Sequence, residues 1–192
     1  MNLLDLWLHG GETSLSVRRF YVTEAISTLF EATVTALSSN EQIALESIVG
    51  APARLRIRTH LGARIWTGLV RAMEIGAVEA SGLSTYTLVI VPELWALAQR
   101  RQSRIFQHLS VPEIADALLA EWRIQASWRV DRSACPRLPM RVQYEESDYA
   151  FLCRLLEEAG LSFMFENDLE QGTRLVLHDR PNAAPPRLAA PI

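Results

Sequence analysis

The chain has 192 residues, a formal net charge of -3 and a composition that is 49% hydrophobic and 21% charged. This length suits one domain, or one domain plus a fragment, and it is sufficient to bury a hydrophobic core. The slightly acidic balance argues against a nucleic-acid groove or an anionic membrane surface as partner, because both favour basic proteins. All 19 basic side chains are arginines, which the base composition of the gene explains most simply.

The N-terminal stretch MNLLDLWLHGGETSL has neither the basic segment nor the cleavage site of a signal peptide, and it predicts a strand. No apolar run reaches the length that spans a membrane. Cys135 and Cys153 are too few and too far apart for a disulfide framework, so reduced thiols are expected. We therefore expect cytoplasmic synthesis without a signal peptide, and no membrane insertion of this segment.

Alternation of apolar and polar residues predicts mostly β-structure through the first hundred residues. The strand candidates, in order, are LLDLWLH, SLSVRRFYV, FEATVTAL, ARLRIRT, RIWTGLVRAMEIG and YTLVIVP. The turn signals between them include residues 38–40, HLGA and VEASGLS, and a short helical segment is expected to end at Gly50. Short strands with frequent turns indicate an antiparallel barrel or sandwich.

Helical patterns begin after Pro92. ELWALAQR predicts a short helix, and LSVPEIADALLAEW predicts a stronger one with Ser110 as N-cap and Glu113 completing a capping box. RLPMRVQY, LSFMF and TRLVLHD read as strands, with a further helix between the first two. The tail RPNAAPPRLAAPI is rich in proline and alanine and is typical of a linker or an unfinished boundary.

The stretch QYEESDYAFLCRLLEEAGLSFMF predicts that further helix, a glycine stop and a strand. Ser147 is a natural N-cap, and Asp148 then lies in the first turn, where the helix dipole favours a negative charge. On that basis, loss of the Asp148 charge is expected to cost about 0.5–1 kcal/mol. The apolar positions share one face, and Gly160 stands where a left-handed residue closes the helix.

The five carboxylates of this stretch raise the alternative of an acidic active site: Glu145, Glu146, Asp148, Glu157 and Glu158. General acid–base catalysis needs carboxylates that converge across a cleft. Adjacent helical residues point about 100° apart, so Glu157 and Glu158 cannot face one substrate atom together. Ion pairing with Arg154, or exposure to water, is the favoured interpretation.

Other catalytic and metal-binding patterns are not found in the sequence. The histidines His9, His60, His108 and His178 have no second ligand at helical spacing, and no nucleotide-binding or nucleophile-elbow motif occurs. Cys153 is expected to be a small buried residue, and Cys135 has no neighbouring histidine to activate it. The sequence therefore predicts no catalytic residue, no cofactor and no metal site.

Two segments, YTLVIVPELWALAQRRQSRIFQHLSVPEI (86–114) and RVQYEESDYAFLCRLLEEAGLSFMFE (141–166), resemble the N-terminal region of the VgrG family. VgrG proteins are the spikes of bacterial type VI secretion systems. The resemblance covers about residues 15–180. It marks these motif positions as structural residues: Arg104, Ile105, Phe106, Gln107, Tyr144, Ser147, Asp148, Phe151, Arg154, Leu155, Glu157, Glu158 and Gly160.

The resemblance implies an α+β, mainly β, phage tail-hub-like fold: an antiparallel β-barrel with an inserted helix-containing α/β subdomain. It assigns residues 1–100 to most of the first barrel, 101–180 to the insertion and 181–192 to a linker, in an incomplete N-terminal fragment or a truncated relative. It also implies a homotrimer that joins the Hcp tube to a puncturing needle, with effectors or adaptor proteins as further partners. The hub of a phage, prophage or tailocin is the close alternative, and a carboxylate-dependent hydrolase is the remaining one.

Overall fold

The computed structural model describes residues 3–60, 62–80 and 82–180, so the predicted linker at 181–192 lies outside the described residues. The chain divides into two compact units. The first unit comprises Met1–Glu24, Leu29–Pro92 and Asn167–Thr173, and the second comprises Ala25–Thr28, Glu93–Glu166 and Arg174–Ile192. The assignment of 1–100 to a hub barrel and of 101–180 to an insertion stays a prediction.

The first unit is built on one six-stranded sheet with the strand order β1-β4-β5-β6-β3-β2. Every neighbouring pair in this sheet is antiparallel. The strands are β1 (Leu4–Leu8), β2 (Ser16–Thr23), β3 (Glu31–Ser38), β4 (Pro52–Thr59), β5 (Gly62–Val78) and β6 (Ser84–Val91), with the single-turn helix α1 (Leu45–Ile48) between β3 and β4. These elements confirm the antiparallel organisation that the alternating sequence predicts.

The core of the first unit forms where two alternating strands pair. Ala32 and Val34 on β3 are opposite Ile90 and Leu88 on β6, and all of these residues have 0% of their surface exposed. Successive strand residues point to opposite faces, so period-2 placement of apolar side chains produces one continuous buried layer. The alternation in FEATVTAL therefore predicts a strand correctly.

Gly68 on β5 marks the closest backbone approach in this unit. A Cβ atom built on Gly68 would lie 1.9 Å from the carbonyl oxygen of Val91 and 2.8 Å from its carbonyl carbon. Both atoms belong to the backbone of β6, which cannot move aside as a flexible side chain does. Only glycine, which has no Cβ atom, is compatible with this close approach of β5 to β6.

Substitution Gly68→Ala is expected to lower the free energy of unfolding by about 1–3 kcal/mol or to prevent folding, because the added methyl group overlaps the Val91 carbonyl. Gly76→Ala on the same strand is the matched control. A Cβ at Gly76 would lie no closer than 3.4 Å to its nearest neighbour, the Thr85 carbonyl oxygen. Urea denaturation of both variants measures the difference, and equal stabilities would contradict the close approach.

The second unit combines a two-stranded antiparallel ribbon, a three-stranded sheet and two helices. A 3-10 helix at Glu93–Gln99 precedes its strands and helices: β7 (Arg101–Leu109), α2 (Val111–Glu121), β8 (Ala126–Arg129), β9 (Leu138–Ser147), α3 (Asp148–Glu158), β10 (Ser162–Asp168) and β11 (Gly172–His178). β7 pairs with β9, and the sheet order β10-β11-β8 includes a parallel β11/β8 pair. Within the described ranges, no helix is long and apolar enough to cross a membrane.

The predicted helix ends are confirmed by their capping geometry. Ser110 and Glu113 form the capping box of α2, and the Ser147 hydroxyl accepts the Ala150 N–H at 3.1 Å at the start of α3. Gly160 has a φ of 68° and closes α3 by donating its N–H to the Glu157 carbonyl at 3.0 Å. Strand β7, by contrast, has no counterpart in the sequence analysis, because its inward positions include polar residues.

Candidate functional site

A buried polar network converges on the motif residue Asp148, the first residue of α3. Its side chain has 0% of its surface exposed, although it belongs to one of the most polar stretches of the chain. Its backbone N–H donates to the Arg100 carbonyl at 3.1 Å, which ties the start of α3 to the residue before β7. A buried carboxylate is tolerated only when opposite charge and hydrogen bonds compensate for the lost water.

Two arginines supply that charge compensation. Arg100 donates through Nε at 2.7 Å to Oδ2 of Asp148, and Arg104 on β7 donates through Nη2 at 3.0 Å to Oδ1. Glu121, at the end of α2, pairs with both guanidinium groups. The result is a four-residue ion network in which the exposed Glu121 shares the arginines with the buried Asp148.

Three neutral side chains donate further hydrogen bonds to the Asp148 carboxylate. Gln143 on β9 donates at 2.9 Å and Gln102 on β7 at 3.1 Å, both to Oδ1. The indole N–H of Trp122, just beyond α2, donates to Oδ2 at 3.0 Å. Asp148 thus joins the ribbon β7/β9 to the ends of both helices through one side chain.

The pKa of Asp148 reflects the balance between burial and these donors. Burial raises the pKa, but the hydrogen bonds from Gln143, Gln102, Trp122 and Arg100 outweigh it and lower the pKa from 3.8 to about 2. Asp148 is therefore ionised at neutral pH, and its oxygens are already engaged by protein donors. A group in this state is suited to holding structure together and poorly suited to accepting a proton from a substrate.

A second cluster of motif residues packs beside the first. The rings of Phe106 and Phe151 stack with their centroids 5.6 Å apart, and Phe151 and Leu155 are 0% exposed. The Arg154 guanidinium lies 5.3 Å from the Phe151 ring centroid and pairs with Glu146 at 2.5 Å. This cluster fixes α3 against the ribbon through apolar contact and a charged edge.

The remaining carboxylates do not assemble into an active site. Glu158 pairs with Arg154 and with Arg141, each at 3.2 Å, whereas Glu145 and Glu157 are exposed. Arg154 thus pairs with Glu158 and not with Glu157, which resolves the two options that the sequence left open. The predicted ion-pair or solvent placement is correct for these residues. Asp148 is also ion-paired, with Arg100 and Arg104, but it is buried and does not face water.

Other motif residues face outward. Ile105 is 60% and Tyr144 71% exposed, and Gln107 is also exposed. Ile105 and Val142 are directly opposed in the β7/β9 register, so an apolar pair forms part of the outer face of the ribbon. The structure therefore places the motif on two faces, with the polar network inside and these side chains outside.

Histidine and cysteine positions give no second site within the described residues. No group of three or more potential metal ligands occurs in residues 3–60, 62–80 and 82–180. His178 is buried, and burial lowers its pKa, with the nearby Arg129 acting in the same direction. Cys153 is partly buried and not fully buried as expected, and burial raises the pKa of its thiol.

Several members of the Asp148 network carry no local signal in the sequence, namely Arg100, Gln102, Glu121, Trp122 and Gln143. Their separations from Asp148 range from 5 to 48 residues, so no local spacing rule connects them. One signal was available: Gln102, Arg104 and Phe106 alternate along β7, which predicts one strand face that is polar but not solvated. Such a face requires a buried charged partner.

Comparison with known proteins identifies the family. The model of the phage tail baseplate hub (GPD) family matches residues 23–192. The chain belongs to this tail-hub family. The predicted tail-hub-like fold and the resemblance to VgrG are thereby confirmed.

Curated relatives of this tail-hub chain are spike proteins. It is 35% identical over 191 residues to the type VI secretion system spike protein VgrG4b of Pseudomonas aeruginosa, covering 97% of this chain and 23% of that protein. It is 31% identical over 191 residues to VgrG3 of Vibrio cholerae, covering 94% of this chain and 18% of that protein. The chain thus spans about a fifth to a quarter of these relatives' length.

Solved structures share the tail-hub fold. The Escherichia coli c3393 protein, described as a component of the type VI secretion system with similarity to T4 tail proteins gp27 and gp5, superposes with a TM-score of 0.82 at 24% identity. That superposition covers 91% of this chain and 49% of c3393. A tail protein from Neisseria meningitidis gives a TM-score of 0.64 at 16% identity, covering 91% of this chain and 49% of that chain.

Substitution Asp148→Asn tests the network without changing side-chain volume. We expect the free energy of unfolding at pH 7 to fall by about 2–4 kcal/mol, because two arginines lose their buried partner and an amide N–H₂ faces other donors. This exceeds the cap-region cost of about 0.5–1 kcal/mol that the sequence alone suggested. Chemical denaturation with Glu157→Gln as an exposed, charge-matched control measures the difference.

The pH dependence provides a second readout of the same variant. A depressed folded-state pKa stabilises the protein above the unfolded-state value of 3.8, and this stabilisation is lost as the pH falls towards 2. The unsubstituted chain should therefore lose about 2 kcal/mol more than Asp148→Asn between pH 5 and 2. Parallel acid-unfolding curves would contradict the assignment.

Proposed function

We propose that this chain forms part of a structural spike or hub of a type VI secretion system. In this role a homotrimer of the full-length protein joins the Hcp tube to the puncturing needle and exports effectors or adaptor-bound cargo. The proposal rests chiefly on the 35% identity to VgrG4b across 97% of this chain. Residues 1–100 would supply most of the first hub barrel and 101–180 its inserted subdomain.

A non-enzymatic role agrees with the chemistry around Asp148. The most strongly perturbed carboxylate is ionised, inaccessible and saturated with protein donors. The adjacent Glu157–Glu158 pair lies on the exposed end of α3, where the two side chains diverge. These carboxylates are suited to a rigid structural role, and none of them is placed to transfer a proton to or from a substrate.

The test uses the full-length gene product that carries this chain, produced together with Hcp. We expect a trimer by light scattering, a hub at one end of Hcp tubes by electron microscopy, and restored Hcp release in a deletion strain. Phe151→Ala should reduce release because it empties a stacked, fully buried ring position, whereas Glu157→Gln should not. A strictly monomeric product without effect on secretion would contradict the proposal.

The hub of a phage, prophage or tailocin is the second candidate. The fold similarity to the Neisseria tail protein, and to a 43 kDa prophage tail protein of Shewanella oneidensis with a TM-score of 0.60 at 17% identity, favours it. Gene neighbourhood separates the two roles. Neighbouring Hcp and sheath genes support the secretion hub, and neighbouring capsid and tail-fibre genes support the phage hub.

A carboxylate-dependent hydrolase is the alternative from another class. Individual amide substitutions of Glu145, Glu146, Asp148, Glu157 and Glu158 distinguish it. An enzyme loses turnover in a folded variant, whereas the structural role predicts changes in stability or assembly alone. We expect the largest stability change at Asp148 and changes within about 0.5 kcal/mol at the exposed Glu145 and Glu157.

A further inference from the structure

Strand β4 presents a row of arginines on the face opposite the core. Ala53 and Leu55 are 2% and 0% exposed, while Arg54, Arg56 and Arg58 alternate with them and point away. We call these three residues the β4 arginine face. Their spacing follows directly from the period-2 geometry of a strand.

Unlike Arg64 and Arg71 of the first unit, the β4 arginine face has no carboxylate partner among the residues that the structure describes. Arg64 pairs with Glu24 at 2.6 Å and Arg71 pairs with Glu31 at 2.7 Å. Arg54, Arg56 and Arg58 form no ion pair with any residue that the structure describes. The Nε atom of Arg56 is buried and has no hydrogen-bond partner there. Buried donors are normally satisfied, so the described residues do not saturate the Arg56 guanidinium, as is also true of the buried Arg141 Nε and His178 Nε2.

The surroundings of the face add an aromatic surface and further positive charge. Trp7 on β1 is opposite Arg54, is 45% exposed, and has its ring centroid 5.7 Å from that guanidinium. Arg18 lines the same shallow groove between β1 and β2 as Arg54 and Trp7. Glu12 also lines this groove, but its carboxylate already accepts the Ser14 N–H at 2.7 Å.

We propose that the β4 arginine face binds an extended acidic segment of a partner protein, with carboxylates at every second residue. Alternate residues of an extended chain are about 6.6–6.8 Å apart, which matches the separation of successive arginines on β4. Each guanidinium can then donate two parallel hydrogen bonds to one carboxylate. Trp7 would pack against the methylene groups of the carboxylate side chain over Arg54, because the intervening side chains of an extended segment point away from this face. The site does not depend on the hub role.

A protein segment fits this face better than a nucleic acid does. The chain carries a formal net charge of -3, so the long-range field that draws phosphate backbones is weak. Asp5 lies opposite Arg56 in the β1/β4 register, and Glu12 lines the adjoining groove. These carboxylates lower the local positive potential, on which the sequence-independent binding of a phosphate chain depends.

The test measures binding of two synthetic nine-residue peptides to the 192-residue chain by fluorescence anisotropy. In one peptide glutamate alternates with threonine, and in the other the same glutamates form a block. We expect the alternating peptide to bind about fivefold or more tightly than the block, with affinity falling as salt rises. The triple variant Arg54→Gln, Arg56→Gln, Arg58→Gln should weaken binding about tenfold or more.

A charge-matched control replaces Arg132, Arg137 and Arg180 with glutamine, since these arginines are exposed and paired in the second unit. It should bind the alternating peptide as the unsubstituted chain does. Arg56→Lys retains the charge but not the bidentate geometry. This variant is expected to bind the alternating peptide about threefold more weakly. It tests the proposal on its own if the triple variant fails to fold.

Several outcomes would overturn the proposal. They are no binding of the alternating peptide at about 1 mM, equal affinity for both peptides, and equal losses in the triple and control variants. Tighter binding of a poly-dT oligonucleotide that depends on the same arginines would assign the face to nucleic acid instead. Unchanged affinity of the Arg56→Lys variant for the alternating peptide would show that binding depends only on net charge and not on bidentate hydrogen bonds.

Discussion

The second unit depends on one buried negative charge. Asp148 begins α3, and its carboxylate accepts hydrogen bonds from β7, β9, the residue before β7 and the residue after α2. Removing a carboxylate from water costs several kcal/mol, so the site is stable only when all of these donors are in place together. The positions of β7, β9 and the two helices therefore depend on one another, which makes their assembly cooperative.

Charge is distributed differently in the two units. In the second unit, guanidinium groups such as Arg104, Arg129 and Arg154 lie against carboxylates and bind the elements to one another. In the first unit, the β4 arginine face points outward without a carboxylate partner in the described part of the chain. Arginine thus holds elements together in the second unit, and on the β4 arginine face of the first unit it remains available to another molecule. A composition in which arginine is the sole basic residue suits both uses, because the guanidinium fork forms fixed, directional contacts.

Local rules predicted much of the fold. Period-2 alternation located the strands of the first unit, the Ser110–Glu113 capping box located α2, and Ser147 with Gly160 bounded α3. Each of these signals lies within a few residues of the element that it specifies. The Asp148 network was not predictable in this way, since Arg100 and Asp148 are separated by 48 residues. Strand β7 was missed for the same reason, because its polar inward residues are explained only by a carboxylate that comes later in the chain.

The two units are interleaved along the sequence, since residues 167–173 return to the first unit after the chain has passed through the second. Within the first unit, the Thr67 N–H donates to the Thr173 hydroxyl at 2.9 Å, and the Thr173 N–H donates to the Thr67 hydroxyl at 2.7 Å. A ribosome must therefore release residues 93–166 before the first unit can complete these contacts. During translation the earlier strands of the first unit therefore remain without these two contacts until residues 167–173 have been synthesised.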